Sequence, residues 1–185
     1  KKAVLRVNTP NPLAGKKYIT FSTSSNKRDG LHSLASKCWP YVYWDELLVL
    51  LKQAYPSYDF IQLGEANTIP QAQANTSFLA KTDLETACAI LQGAFLHIDC
   101  DCGLVHFAHS LNVPCVALFG PSSAAFVGYR GHENISSPYC GNCWRTTDEW
   151  NHRCPLGFPR AECMYSLTPD MVFKKIQFYL AGIKS

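Results

Sequence analysis

The sequence predicts an α/β fold, a parallel sheet with helices on both faces. Three observations lead there. Short β-branched or aromatic runs alternate with segments of helical periodicity, in the order strand, helix, strand, helix, strand, helix, strand. The last of these runs, Val113 to Phe119, is nearly all apolar, as a strand covered on both faces must be. Glycine, proline or polar clusters punctuate the junctions.

Residues 1–17 read as a leading strand or linker ending in a Pro/Gly-rich turn, Thr9 to Gly15. Tyr18 to Thr23 has strand composition, and the polar stretch from Ser24 to Ser36 reads as a loop. Pro40 stands near the start of a helix whose apolar residues Trp44, Leu47, Leu48 and Leu51 recur at helical spacing, until Pro56 ends it. Tyr58 to Leu63 is a second strand closed by Gly64, and residues 65–77 read as irregular. Thr82, with Glu85 three positions on, marks a helix start. Phe95 to Asp99 is a third strand, Gly103 to Leu111 a short helix, and Gly120-Pro121 breaks the fourth strand. Thr168-Pro169 opens a final helix. The expected division is a linker over 1–17 and one domain over 18–183. A Cys-rich loop insertion at 136–166 lies within a loop-rich stretch, 122–168.

Bulk properties narrow the function. The 185 residues are 47% apolar and 17% charged, a globular composition. A net charge of +3 gives no dense basic stripe, so no nucleic-acid partner is expected. No run of 18 apolar residues occurs and no signal peptide is visible. Nine cysteines, an odd count, argue against a fully paired disulfide framework and for a reducing compartment. The expected location is cytoplasmic, with at most peripheral membrane contact. The start at Lys1-Lys2, without Met, reads as a trimmed chain or fragment.

In an open parallel sheet, ligands bind beyond the carboxyl ends of the strands. Four segments follow strands or precede the first long helix. Asp101-Cys102-Gly103-Leu104-Val105-His106 enters a helix near Gly103. Free amides and the positive dipole end there suit a phosphate, and Gly103 lets an anion approach the backbone. Equally, Asp101 can simply cap the helix, with His106 a satisfied surface residue. Lys37 can neutralise a phosphate or be a solvated lysine. Glu65 can accept hydrogen bonds from a ribose diol, and no G-x-G-x-x-G accompanies it, which disfavours a nicotinamide or flavin site. Gly120-Pro121-Ser122-Ser123 is a tight turn with hydroxyls.

Taken in order, these pieces resemble a known family. The run Asp101-Cys102-Gly103-Leu104-Val105-His106-Phe107-Ala108, then Pro114 and Leu118-Phe119-Gly120-Pro121, is similar to the D-[ST]-G-x-x-H-x-A … L-[FY]-G-P-T stretch of family 9, heptosyltransferase-type glycosyltransferases. Lys37-Cys38-Trp39-Pro40 resembles that family's K-x-W-P, and Cys163-Met164 through Pro169 to Val172 resembles its C-M … P-x-x-V ending. The resemblance implies a Rossmann-like domain, the C-terminal half of a GT-B fold, that binds a nucleotide-diphosphate sugar such as ADP-heptose. Gly103 and Leu104 would offer amides to the diphosphate, and Asp101 and His106 would border it. Lys37 would pair with a phosphate, Glu65 would touch the nucleoside, and Thr23 and Ser24 would add hydroxyl contacts. Cys102 replaces the usual Thr or Ser, exchanging a hydroxyl for a weaker thiol donor. Transfer would invert the anomeric carbon without a catalytic metal, to lipopolysaccharide core or another glycan or protein acceptor. The general base would come from an N-terminal acceptor-binding domain outside this chain, leaving the chain inactive alone.

Cys140, Cys143, Cys154 and Cys163 stand apart. A C-x2-C pair followed by two more thiols suits a structural zinc or iron ion, with His152 as a substitute ligand; disulfides and free thiols are the other readings. Two further function classes remain open at this point: a non-catalytic nucleotide-binding module, and a metal-stabilised interaction module.

Overall fold

The computed structural model describes residues 5–23, 36–66 and 68–183. Its centre is a six-stranded sheet: β1 (Tyr18–Phe21), β2 (Asp59–Gly64), β3 (Thr76–Leu79), β4 (Leu96–Cys100), β5 (Cys115–Phe119) and β6 (Glu133–Ser136). The order is β3-β2-β1-β4-β5-β6 and every pairing is parallel. This is the Rossmann-like order, which reverses direction between β1 and β4 and opens a crevice at their carboxyl ends. The helices are α1 (Tyr41–Ala54), α2 (Leu84–Gln92), α3 (Gly103–Ser110), α4 (Ala124–Val127), α5 (Glu162–Tyr165) and α6 (Pro169–Ile183).

Side-chain alternation along the strands divides the interior in two. Ile19, Phe21, Ile98, Val116 and Leu118 face α1 and α6, whose Leu47, Leu48, Leu51, Val172 and Ile176 complete one core. Tyr18, Ile61, Cys115, Ala117 and Phe119 face α2 and α3 and form the other. Trp39 anchors the segment ahead of α1. It is fully buried, its indole N–H donates to the Leu167 carbonyl at 2.7 Å, and its ring meets Trp44 edge-on at 5.1 Å. Thr168 accepts from the Met171 amide at 3.3 Å and Pro169 begins α6, as its sequence signature requires.

Three local expectations are corrected. Residues 65–77 were expected to be irregular, yet β3 begins at Thr76; the stretch 122–168 contains β6 as well as α4 and α5. Both added strands are sheet edges with one neighbour each. A four-residue edge strand needs few apolar side chains, so it leaves little pattern to read. The α2 cap is Asp83 rather than Thr82, because the Asp83 carboxylate reaches the Thr86 amide at 2.7 Å. Of the strand and linker readings of the leading segment, residues 5–17 contain no strand, and Leu5 and Val7 pack against the second core.

Candidate functional site

The parallel sheet brings the ends of β1, β2, β4 and β5 to one edge. There the chain leaves β4 at Cys100, turns through Asp101 and Cys102, and enters α3 at Gly103. The Asp101 amide donates to the Leu118 carbonyl at 3.1 Å, which fixes the turn to β5. Cys102 is the N-cap and makes no side-chain capping bond. The thiol instead donates to the Asp99 carboxylate at 2.7 Å. Asp101 is no cap either: its carboxylate receives the Lys37 ammonium at 2.6 Å, with side chains only 18% (Lys37) and 8% (Asp101) exposed. The start of α3 therefore lies beside a lysine. Gly103 is exposed, and a Cβ placed on it would meet nothing within 4 Å. An anion has an open approach to this turn.

Other expected site residues lie on or near the same edge. Thr23 follows β1, is fully buried, and its hydroxyl accepts from the Gln62 amide at 3.3 Å. Glu65 follows β2 with its side chain exposed. Leu104 is half-buried in the first turn of α3. His106 is exposed on that helix, its Nδ1 2.7 Å from the Tyr129 hydroxyl. Ser24 lies outside the described residues.

A buried polar chain underlies the turn. The Thr20 hydroxyl lies 3.0 Å from His97 Nδ1, and His97 Nε2 lies 3.2 Å from the Asp99 carboxylate. All three residues are fully buried. Asp99 also accepts from the Cys100 amide at 2.7 Å. Burial pushes the Asp99 carboxyl above its ordinary range, and hydrogen bonds from His97, Cys102 and Cys100 oppose the rise. Burial and then the Asp99 charge push the Cys102 thiol well above its usual value, so it stays a protonated donor.

The late cysteines influence one another electrostatically. Burial raises the Cys163 thiol to about 12, with further contributions from Cys140, Cys143 and Cys154. Burial also raises Cys143, followed by Cys154 and Cys140. Cys140, Cys143, Cys154 and Cys163 form no disulfide. Among the described residues, no three His, Cys, Asp or Glu side chains are gathered closely enough to hold a metal ion. The C-x2-C turn is backbone-specific. Gly141 has φ +154°, and a Cβ there would sit 2.7 Å from the Gly120 carbonyl oxygen.

The cysteine-rich segment also brings Trp150, which the sequence did not single out, to the site. The Ser36 hydroxyl donates to the Trp150 carbonyl at 2.6 Å, and the Trp150 ring centroid lies 5.7 Å from the Lys37 ammonium. No spacing rule links residues 114 positions apart. His97 and Asp99 did carry a signal, since residues two apart on a strand share a face.

Comparison with known proteins agrees with this architecture. The model of glycosyltransferase family 9 (heptosyltransferase) matches residues 2–148. The chain belongs to that family. Within family 9, it is 26% identical over 159 residues to lipopolysaccharide heptosyltransferase 1 of Pseudomonas aeruginosa, covering 78% of this chain and 45% of that protein. Among solved structures it resembles the iron-containing dodecameric glycosyltransferase TibC from enterotoxigenic E. coli, with a TM-score of 0.80 and 22% identity, covering 97% of this chain and 49% of TibC. E. coli ADP-heptose heptosyltransferase II is similar too, with a TM-score of 0.66 and 20% identity, covering 93% of this chain and 49% of that one. The family 9 chain thus spans about half the length of these relatives.

Proposed function

We propose that this chain is the donor-binding half of an inverting glycosyltransferase and holds a nucleotide-diphosphate sugar at the N-terminus of α3. The observation that carries the reading is the Lys37 ammonium, 2.6 Å from Asp101 beside the open Gly103 turn. An ADP-heptose-like donor is favoured, since a TibC structure is described as a complex with ADP-D-beta-D-heptose. In the reaction, an acceptor hydroxyl attacks the anomeric carbon and the bond to the diphosphate oxygen breaks. The hydroxyl proton passes to a carboxylate of a separate N-terminal acceptor-binding domain. Lys37 and the Gly103 and Leu104 amides offset the charge growing on the leaving oxygen. His106, held by Tyr129, borders the diphosphate, while Glu65 touches the nucleoside. The acceptor is lipopolysaccharide core or another glycan or protein. Among the described residues no helix is long and apolar enough to cross a membrane, and the proposed setting is the bacterial cytoplasm or the inner-membrane surface.

Calorimetric titration with ADP, GDP and UDP tests the donor site. One nucleotide should bind, and Lys37→Ala should weaken it about 10-fold or more, a charge-assisted contact being worth about 1.5–3 kcal/mol. Absence of binding by all three would defeat the reading.

Cys140, Cys143, Cys154 and Cys163 are proposed as the ligands of a structural iron or zinc ion. A C-x2-C pair with two further cysteines in one segment is a soft donor set of the kind that zinc and iron take, and the loop would close around the ion on binding. The ion would staple the loop and take no part in transfer. Metal analysis of the purified protein tests this: about one ion per chain is expected, lost in Cys143→Ser. A metal-free protein with unchanged melting would refute it.

A further inference from the structure

We propose that Trp150 is a positioning residue for Lys37, holding the ammonium at the α3 turn where the diphosphate of the donor arrives. The inference rests on the donor-site reading and extends it to the cysteine-rich segment.

Two contacts join the segment to the lysine. The ammonium lies 5.7 Å from the Trp150 ring centroid, within cation–π range. Independently, the backbone is clamped one residue away. The Ser36 hydroxyl donates to the Trp150 carbonyl at 2.6 Å, and the Ser36 amide donates to the Asn151 carbonyl at 3.0 Å. Trp150 is braced in turn. Trp144 meets it edge-on at 6.4 Å, and the Trp144 amide donates to the Pro121 carbonyl at 2.9 Å. The bracing thus runs from the turn after β5 to the lysine beside the turn after β4.

Electrostatics explains why an aromatic ring belongs there. Asp101 also holds Lys37, but a carboxylate neutralises the ammonium and repels an arriving diphosphate. The face of an indole attracts a cation without supplying a counter-charge. Trp150 therefore keeps the ammonium in place as it exchanges Asp101 for phosphate. A lysine side chain left to itself would lose rotamer freedom at that step.

A double-mutant cycle on the purified protein, with ADP as the probe, separates positioning from general support. Trp150→Leu keeps apolar bulk and removes the indole. It should weaken ADP about 5-fold, within the roughly 2- to 30-fold that such contacts are worth. In a Lys37→Met background the same change should cost less than about 2-fold, and Trp150→Phe should restore most of the affinity. Ser36→Ala, which removes the hydroxyl bond of the clamp and leaves its amide bond and both the Lys37 and Trp150 side chains, should give a smaller loss with the same dependence on Lys37. Equal losses in both backgrounds would mean that Trp150 only supports the loop, and would overturn the proposal. So would a wild-type protein that binds ADP and is indifferent to both changes. A wild type that does not bind ADP would overturn the ADP-site reading and Trp150 with it.

Discussion

Replacing Gly103 with alanine should move stability and donor affinity in opposite directions. Gly103 is the first residue of α3, and a Cβ there meets nothing within 4 Å. Alanine lowers the entropic cost of a helical glycine, worth about 0.5–1 kcal/mol in a helix interior and about half that in the first turn. With about 2.1 cal/mol/K of unfolding entropy per residue, a chain of this length should melt roughly 1 °C higher. The same methyl group occupies the approach to the first amides. Loss of one charge-assisted amide contact to a phosphate oxygen costs about 1.5–3 kcal/mol, or about 10- to 150-fold in affinity. Thermal unfolding and ADP calorimetry on one preparation measure both effects. A lower melting temperature would show that the turn is packed rather than open. Unchanged ADP affinity would show that the diphosphate lies elsewhere.

Trp39→Phe should destabilise the fold by about 1–3 kcal/mol in urea, because it leaves the Leu167 carbonyl without its 2.7 Å donor; a loss below about 0.5 kcal/mol would contradict the anchor role. Gly120→Ala should cost about 1–3 kcal/mol by overpacking, since its Cβ would stand 2.5 Å from the Met164 sulfur and 3.1 Å from that of Cys163, and unchanged denaturation would refute it. Asp99 carries a pH signature. Burial holds its folded-state pKa above the ordinary carboxylate value, so the native state holds the extra proton and this group's contribution to stability falls as pH rises from about 4 through the folded value. Asp99→Asn should flatten that slope in denaturation curves taken across pH, and an unchanged slope would place the titration elsewhere.

The four strands that could be read in advance are those whose side chains fill both cores. β1, β2, β4 and β5 carry runs such as Ile19–Phe21 and Val116–Phe119. β3 and β6 escaped because Ser77, Glu133, Asn134 and Ser136 dilute the pattern at the edges. The α3 turn was legible because its chemistry is local: an aspartate, a glycine and a helix start lie within three residues. Whether Asp101 capped the helix or paired with Lys37 was not, since both are ordinary fates of an aspartate and the choice depends on a lysine 64 positions earlier. Trp150 was less legible still, because its place depends on the path of a long irregular loop.

The sheet order has a consequence for how the chain is made. β1 gains β2 first, but its other neighbour, β4, comes much later: Thr20 and Leu96 meet across 76 positions. During synthesis the middle of the sheet stays half-built until that stretch has left the ribosome, and non-local pairing of this kind is slow. The buried Thr20–His97 contact straddles the same seam, so it closes late and leaves two polar groups wet until then.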